Sequence, residues 1–235
     1  MIANDEAQAL QDKALEVQER LIEVYGERHE ERESDPVGTL VNTILSQNTN
    51  DHNRDLAYLQ LRDQLPNWEA VRDAPEKVVI DAIRPAGLAP TKGPRIQGAL
   101  RAITERHGAI SLDFLREKPL EEAREWLLEL NGVGPKTAAI VLLFALDRPA
   151  FPVDTHVHRV SRRLGLIPQK ASREQAHVLL EELLPTSIYY TLHLNLIEHG
   201  RTTCVARSPR CEECTLTYLC DYYQNQRRRT SNADT

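Results

Sequence analysis

Residues 137–146 read Thr-Ala-Ala-Ile-Val-Leu-Leu-Phe-Ala-Leu, and wound into a helix they leave no face to give to water. A helix that is apolar all round is stable only when other elements surround it, so this segment has to lie at the centre of a core. The chain supplies surroundings of one kind. Apolar residues recur at helical spacing almost throughout, and no stretch sustains the alternation of a half-buried strand. Aromatic residues make up only 5% of the chain, which further disfavours a β architecture. The expected fold class is all-α.

Helices are expected over about residues 5–25, 37–47, 51–65, 75–84, 92–107 and 119–130, with Pro66, Pro75, Pro85, Pro90, Pro94 and Pro119 as punctuation. Charged residues 27–35 form a linker, and Asp35-Pro36 is a helix start. Downstream, Asp154 is placed to cap a helix running to about Leu164. Helices near 172–184 and 187–200 follow, then a cysteine-rich segment and an arginine-rich tail expected to be disordered. The 235 residues allow one large domain or two small ones.

No apolar run reaches membrane-spanning length, and the first residues are acidic, unlike a signal peptide, so a cytoplasmic protein is expected. The formal net charge is −6, which by itself argues against a nucleic-acid partner. Its distribution argues the other way. Residues 1–36 carry a net −7, whereas residues 131–170 carry a net +4. Arg201, Arg207 and Arg210 form a second basic stretch without acids. Screening confines exposed charges to about 10 Å, so local patches decide phosphate attraction.

Just before the apolar segment, residues 130–138 read Leu-Asn-Gly-Val-Gly-Pro-Lys-Thr-Ala. Gly132 and Gly134 flanking Val133 make a tight turn, and Pro135 suits the first position of a helix, where its missing N–H is no loss. The N–H groups of such a turn point outward at a helix N-terminus, an arrangement that suits a phosphate. Lys136 stands on the first turn of that helix. A plain junction of two helices with a solvated lysine would use the same residues.

All four cysteines lie in one short run, Cys204-x6-Cys211-x2-Cys214-x5-Cys220. A cytoplasmic chain seldom keeps thiols so close for disulfides. Four thiolates in a compact loop suit either tetrahedral zinc or an iron–sulfur cluster, and chemistry alone leaves both open. Between the first pair, Val-Ala-Arg-Ser-Pro-Arg contributes Arg207 and Arg210, a basic loop able to touch phosphates.

Together these residues resemble the helix-hairpin-helix DNA glycosylase superfamily, in its endonuclease III branch. The hairpin is similar to the family's Leu-Pro-Gly-Val-Gly-x-Lys-Thr-Ala, with Asn131 in place of proline. Val153-Asp154-Thr155-His156 is similar to its Val-Asp-Thr-His, 18 residues on from the lysine. The cysteine spacing resembles the family's 4Fe–4S loop, preceded by His199-Gly200-Arg201. Ile44 to Asp51 resembles the family's Leu-Leu-Ser-x-Gln-x-Thr-Asp helix end. The likeness spans about residues 35–221.

The resemblance implies two helical domains flanking a groove: a six-helix barrel over 30–148 with the hairpin, and an iron–sulfur domain formed by 1–29 and 149–235. It implies a 4Fe–4S cluster held by Cys204, Cys211, Cys214 and Cys220. It implies Lys136 as nucleophile and Asp154 as the catalytic carboxylate, facing each other across the groove. Gly132, Val133 and Gly134 would hold DNA, with Arg207 and Arg210. Gln47 or Asn48, and Leu88, would fill the gap left by a flipped base. For Leu88 the alternative is ordinary packing, and for Asp154 simple capping.

The implied activity is base-excision repair by a DNA glycosylase with AP lyase activity on oxidised pyrimidines in duplex DNA. The alternatives are a glycosylase for mismatched or other bases with weak or no lyase activity, and a non-catalytic DNA-binding iron–sulfur protein. The expected partner is damaged or abasic duplex DNA, bound by a monomer associated with the nucleoid. Gly87 to Lys92 resembles the family's Gly-Leu-Tyr-x-x-Lys, with Ala89 in the aromatic position. His156, His158, His177, His193 and His199 lack a recognised ligand spacing and are expected on helix surfaces or in packing.

Overall fold

The computed structural model describes residues 2–28 and 35–233 and contains no β-strand among them. The linker expected at 27–35 falls, from 29 to 34, outside the described residues. Contacts divide the chain into a continuous unit, Arg32–Arg148, and a split unit made of Met1–Glu31 with Pro149–Thr235.

The continuous unit contains α2 (Pro36–Ser46), α3 (Asp51–Gln64), α4 (Trp68–Asp73), α5 (Glu76–Ala82), α6 (Ala89–His107), α7 (Leu120–Leu128) and α8 (Pro135–Ile140). α1 (Ile2–Tyr25), from the other unit, precedes them in the chain. Residues Pro36 to Val41 of α2 are all buried, and α2 packs against α3, α6 and α8. The segment after Ile140 is buried as its composition requires, but Val141–Ala145 winds as a π-helical turn. Leu146 caps that turn, and Asp147 after it has a left-handed φ of 56°. Arg148 then fastens the end by donating to the carbonyls of Leu115, Arg116 and Lys118.

Two elements here depart from the sequence expectation. α4 forms between Pro66 and Pro75 because Asn67 caps it and Trp68 and Val71 bury. α6 begins at Ala89, three residues before expectation, and runs through Pro90 and Pro94. Pro90 falls in the first turn, where an N–H has no partner anyway, and Pro94 removes one hydrogen bond just beyond it.

The split unit contains α1, α9 (Thr155–Leu164), α10 (Arg173–Leu183), α11 (Tyr189–Thr202) and α12 (Asp221–Ala233). α11 is its centre and packs against both α1 and α9. Gly200 allows the second contact: a Cβ there would lie 2.8 Å from His156 Cβ. The arginine-rich tail is helical as α12 to Ala233, where disorder was expected. α12 packs on α9, with the Asp221 carboxylate seated over Gly165 and paired to Lys13 at 2.8 Å.

Candidate functional site

In the continuous unit, α7 and α8 are joined by the glycine turn. Gly132 has a φ of +86°, and a Cβ there would lie 2.8 Å from Arg95 Cδ, so both backbone and space require glycine. Gly134 caps α8 in extended backbone (φ −104°), and no heavy atom lies within 4 Å of where its Cβ would be. The turn is anchored from below by buried Val133 and left open above Gly134. An anion can therefore approach the N–H groups at the positive end of the helix. Lys136, the second residue of α8, is partly exposed and has no hydrogen-bond or ion-pair partner among the described residues.

Three loops of this unit meet around the start of α6. Gln47 donates from Nε2 to the carbonyl of Gly132 at 3.1 Å, and Arg95 reaches Gln47 Oε1 at 3.5 Å. Gln47 is thus tied down, while Asn48 is exposed with a left-handed φ of 54°. Leu88 is also left-handed (φ 51°) and 56% exposed, not packed in a core. Ala89 beside it is buried.

The split unit carries Asp154. Its Oδ1 accepts the N–H of Val157 at 2.7 Å, which caps α9, and Oδ2 has no hydrogen bond among the described residues. The preceding segment is buried and held from three sides. Phe151 N–H donates to Glu181 Oε1 at 2.8 Å. His177 and His193 meet the carbonyls of Phe151 (3.0 Å) and Pro152 (2.9 Å) through Nδ1. A carbonyl only accepts, so both Nδ1 atoms carry the proton. The spacing of these histidines in the sequence carries no sign that they hold the approach to Asp154.

The four cysteines line one pocket, together with Arg163 and His199. Burial, and then the neighbouring sulfurs, push the Cys214 thiol up to about 11 and also raise Cys211 and Cys220. Thiols so crowded ionise together only against cationic metal, so the donor set fits a metal centre. Burial also pushes His199 down to about 4, leaving a neutral ring 3.7 Å from Cys214 Sγ. Arg163 fastens the first ligand loop, donating to Cys204 Sγ (3.3 Å) and to the carbonyls of Val205 (2.8 Å) and Ala206 (3.0 Å). Arg159 adds donors to Gly200 O (2.7 Å) and Cys204 O (3.1 Å). Arg207 and Arg210 lie exposed on the same loop.

Known proteins agree with both halves of this description. Residues 41–186 match the HhH-GPD superfamily base excision DNA repair protein family, and residues 204–220 match the iron–sulfur binding domain of endonuclease III. Endonuclease III of Thermotoga maritima is 35% identical over 83% of this chain and 87% of its own. A provisionally named DNA glycosylase of Arabidopsis thaliana is 36% identical over 74% of this chain, which spans 59% of that protein's length. A solved non-covalent endonuclease III–DNA complex superposes with a TM-score of 0.79 at 26% identity, covering 93% of this chain and 98% of that one. The chain belongs to the HhH-GPD superfamily of base excision DNA repair proteins, in its endonuclease III branch. Its cysteine cluster is accordingly an iron–sulfur site, which decides against zinc.

Among the described residues, no helix is long and apolar enough to cross a membrane.

Proposed function

We propose that this protein is a DNA glycosylase with AP lyase activity, acting on oxidised pyrimidines in duplex DNA. The observation that carries the lyase reading is Lys136, an amine at the positive end of α8, beside an open glycine turn and without a partner among the described residues. The chemistry follows from that amine. Neutral Lys136 attacks C1′ of the damaged nucleotide as the N-glycosidic bond breaks, its electron pair leaving with the base, which takes up a proton. The amine loses its protons as the sugar ring opens to a Schiff base, O4′ becoming a hydroxyl. Loss of a C2′ proton then expels the 3′ phosphate by β-elimination. Asp154 stabilises the positive charge that grows on the sugar and carries protons between these steps.

The open hairpin N–H groups hold a phosphate of the DNA, and Arg207 and Arg210 add sequence-independent attraction. Asn48 and Leu88 enter the gap left by the flipped base. Their left-handed backbone and exposure support that role, since strain in non-glycine residues gathers where geometry serves a function. Gln47, bound to Gly132, acts as a brace for the hairpin. The iron–sulfur cluster cross-links the loop from Cys204 to Cys220 when bound.

Borohydride trapping on abasic-site duplex tests the reading. Wild-type protein should form a covalent adduct and Lys136→Ala none; an equal adduct from the variant refutes the assignment. A second reading, a glycosylase for mismatched or otherwise altered bases with weak lyase activity, is favoured by buried Ala89 at the family's aromatic position. Excision rates across duplexes carrying thymine glycol, mismatched thymine or uracil separate the two.

A further inference from the structure

Lys92, the lysine that closes the Gly87–Lys92 segment, is buried on an otherwise apolar helix face. It lies on the face of α6 that also buries Ala89, Gly93 and Ile96, and it is 1% exposed. Complete burial of an ammonium is rare and unfavourable unless strong acceptors receive it. Here Nζ donates to the carbonyl of Leu45 at 2.7 Å and to that of Ala86 at 2.8 Å.

The two acceptors are not neighbours in the chain. Leu45 sits in the last turn of α2, three residues before Asn48, and Ala86 lies two residues before Leu88. Helix-end carbonyls otherwise lack partners, and the charge on Nζ strengthens both bonds. One ammonium thus spans the roots of two loops whose tips are the left-handed residues Asn48 and Leu88. Backbone held in that region costs about 1 kcal/mol or more per residue and persists only where surroundings over-determine it. Gly93 deepens the arrangement, because a Cβ there would lie 2.9 Å from Ile80 Cγ1.

We propose that Lys92 is a positioning residue for gap filling: its ammonium fixes the spacing of the loops bearing Asn48 and Leu88, so that both enter the duplex together. Lys92 touches neither substrate nor reacting atoms. The proposal rests on the gap-filling reading of Asn48 and Leu88, and its test separates the two.

The probe is a duplex carrying a tetrahydrofuran abasic-site analogue opposite 2-aminopurine, at saturating holoprotein. Insertion of the two tips unstacks the 2-aminopurine, and its fluorescence rises. Lys92→Met, of similar length but without donors, should reduce that rise about threefold or more, and Lys92→Arg should restore most of it. On an Asn48→Ala/Leu88→Ala background, Lys92→Met should add little, because residues acting as one unit are non-additive. If the double variant loses the rise but folded Lys92→Met keeps it, or the effects add fully, Lys92 has no positioning role and gap filling still stands. If the double variant fluoresces like wild type, gap filling itself fails and the Lys92 assignment falls with it. Should Lys92→Met fail to fold, Lys92→Gln replaces it, with one short amide donor and the same criteria.

Discussion

Asp154 accepts the N–H of Val157 through Oδ1 and so holds the first turn of α9 while Oδ2 has no hydrogen bond among the described residues. Capping and proposed chemistry thus use different oxygens of one carboxylate, and substitution can part them. Asparagine caps a helix as well as aspartate does. Asp154→Asn should keep the melting temperature and abasic-DNA affinity near wild type while slowing single-turnover excision about a hundredfold. Asp154→Ala should lose the same rate and also about 1 kcal/mol of stability. Equal excision by Asp154→Asn and wild type would leave Asp154 as a cap alone.

The two hairpin glycines are expected to fail differently. Gly132→Ala meets both a φ of +86° and Arg95 Cδ, so it should destabilise the protein by about 1–3 kcal/mol in thermal or urea unfolding. Gly134→Ala meets neither obstacle and should unfold like wild type. It nevertheless places a methyl group where a phosphate is proposed to sit, so DNA affinity should fall and the salt dependence of binding should flatten. Undiminished affinity in Gly134→Ala argues that the phosphate sits elsewhere.

Leu88 offers a test in which stability and function move apart. It is 56% exposed in left-handed backbone, a conformation that glycine adopts without penalty. Leu88→Gly should therefore leave stability unchanged or raise it by up to about 1 kcal/mol, yet slow excision. A variant as active as wild type would remove Leu88 from the gap.

The all-α class, the hairpin and the ligand loop were legible because each rests on local chemistry: periodicity, glycine conformation and thiol spacing. Helix α4 was missed because six residues carry too little periodicity to register, and α12 because its stability comes from docking on α9 rather than from its own polar sequence. The roles of Lys92, Arg163 and His193 were hidden for another reason. Each acts on backbone carbonyls from distant parts of the chain, such as Leu45, Val205 and Pro152, and a carbonyl leaves no mark in sequence. The visible hints were at Lys92: its place in the Gly87–Lys92 segment and its position on the apolar face of α6.

Arg163 should govern retention of the metal. Its guanidinium bonds Cys204 Sγ and the carbonyls of Val205 and Ala206 and lies 4.8 Å over the Tyr222 ring. Lysine has neither the planar fork nor the stacking surface. Arg163→Lys should therefore purify with less iron and lose its visible absorption several-fold faster under oxidant or chelator. Iron content and bleaching rates equal to wild type would overturn this.

Helix α9 joins two of these predictions mechanically. Its ten residues span about 15 Å, with Asp154 at one end and Arg159 and Arg163 gripping the Cys204 loop toward the other. A stiff rod of that length is a lever: a tilt of about four degrees displaces its tip by about 1 Å, enough to slow a reaction about a hundredfold. Small slippage at the sulfur end would thus disarm the carboxylate end while every helix stayed folded. Iron loss would show first as a fall in turnover and only later as a fall in melting temperature.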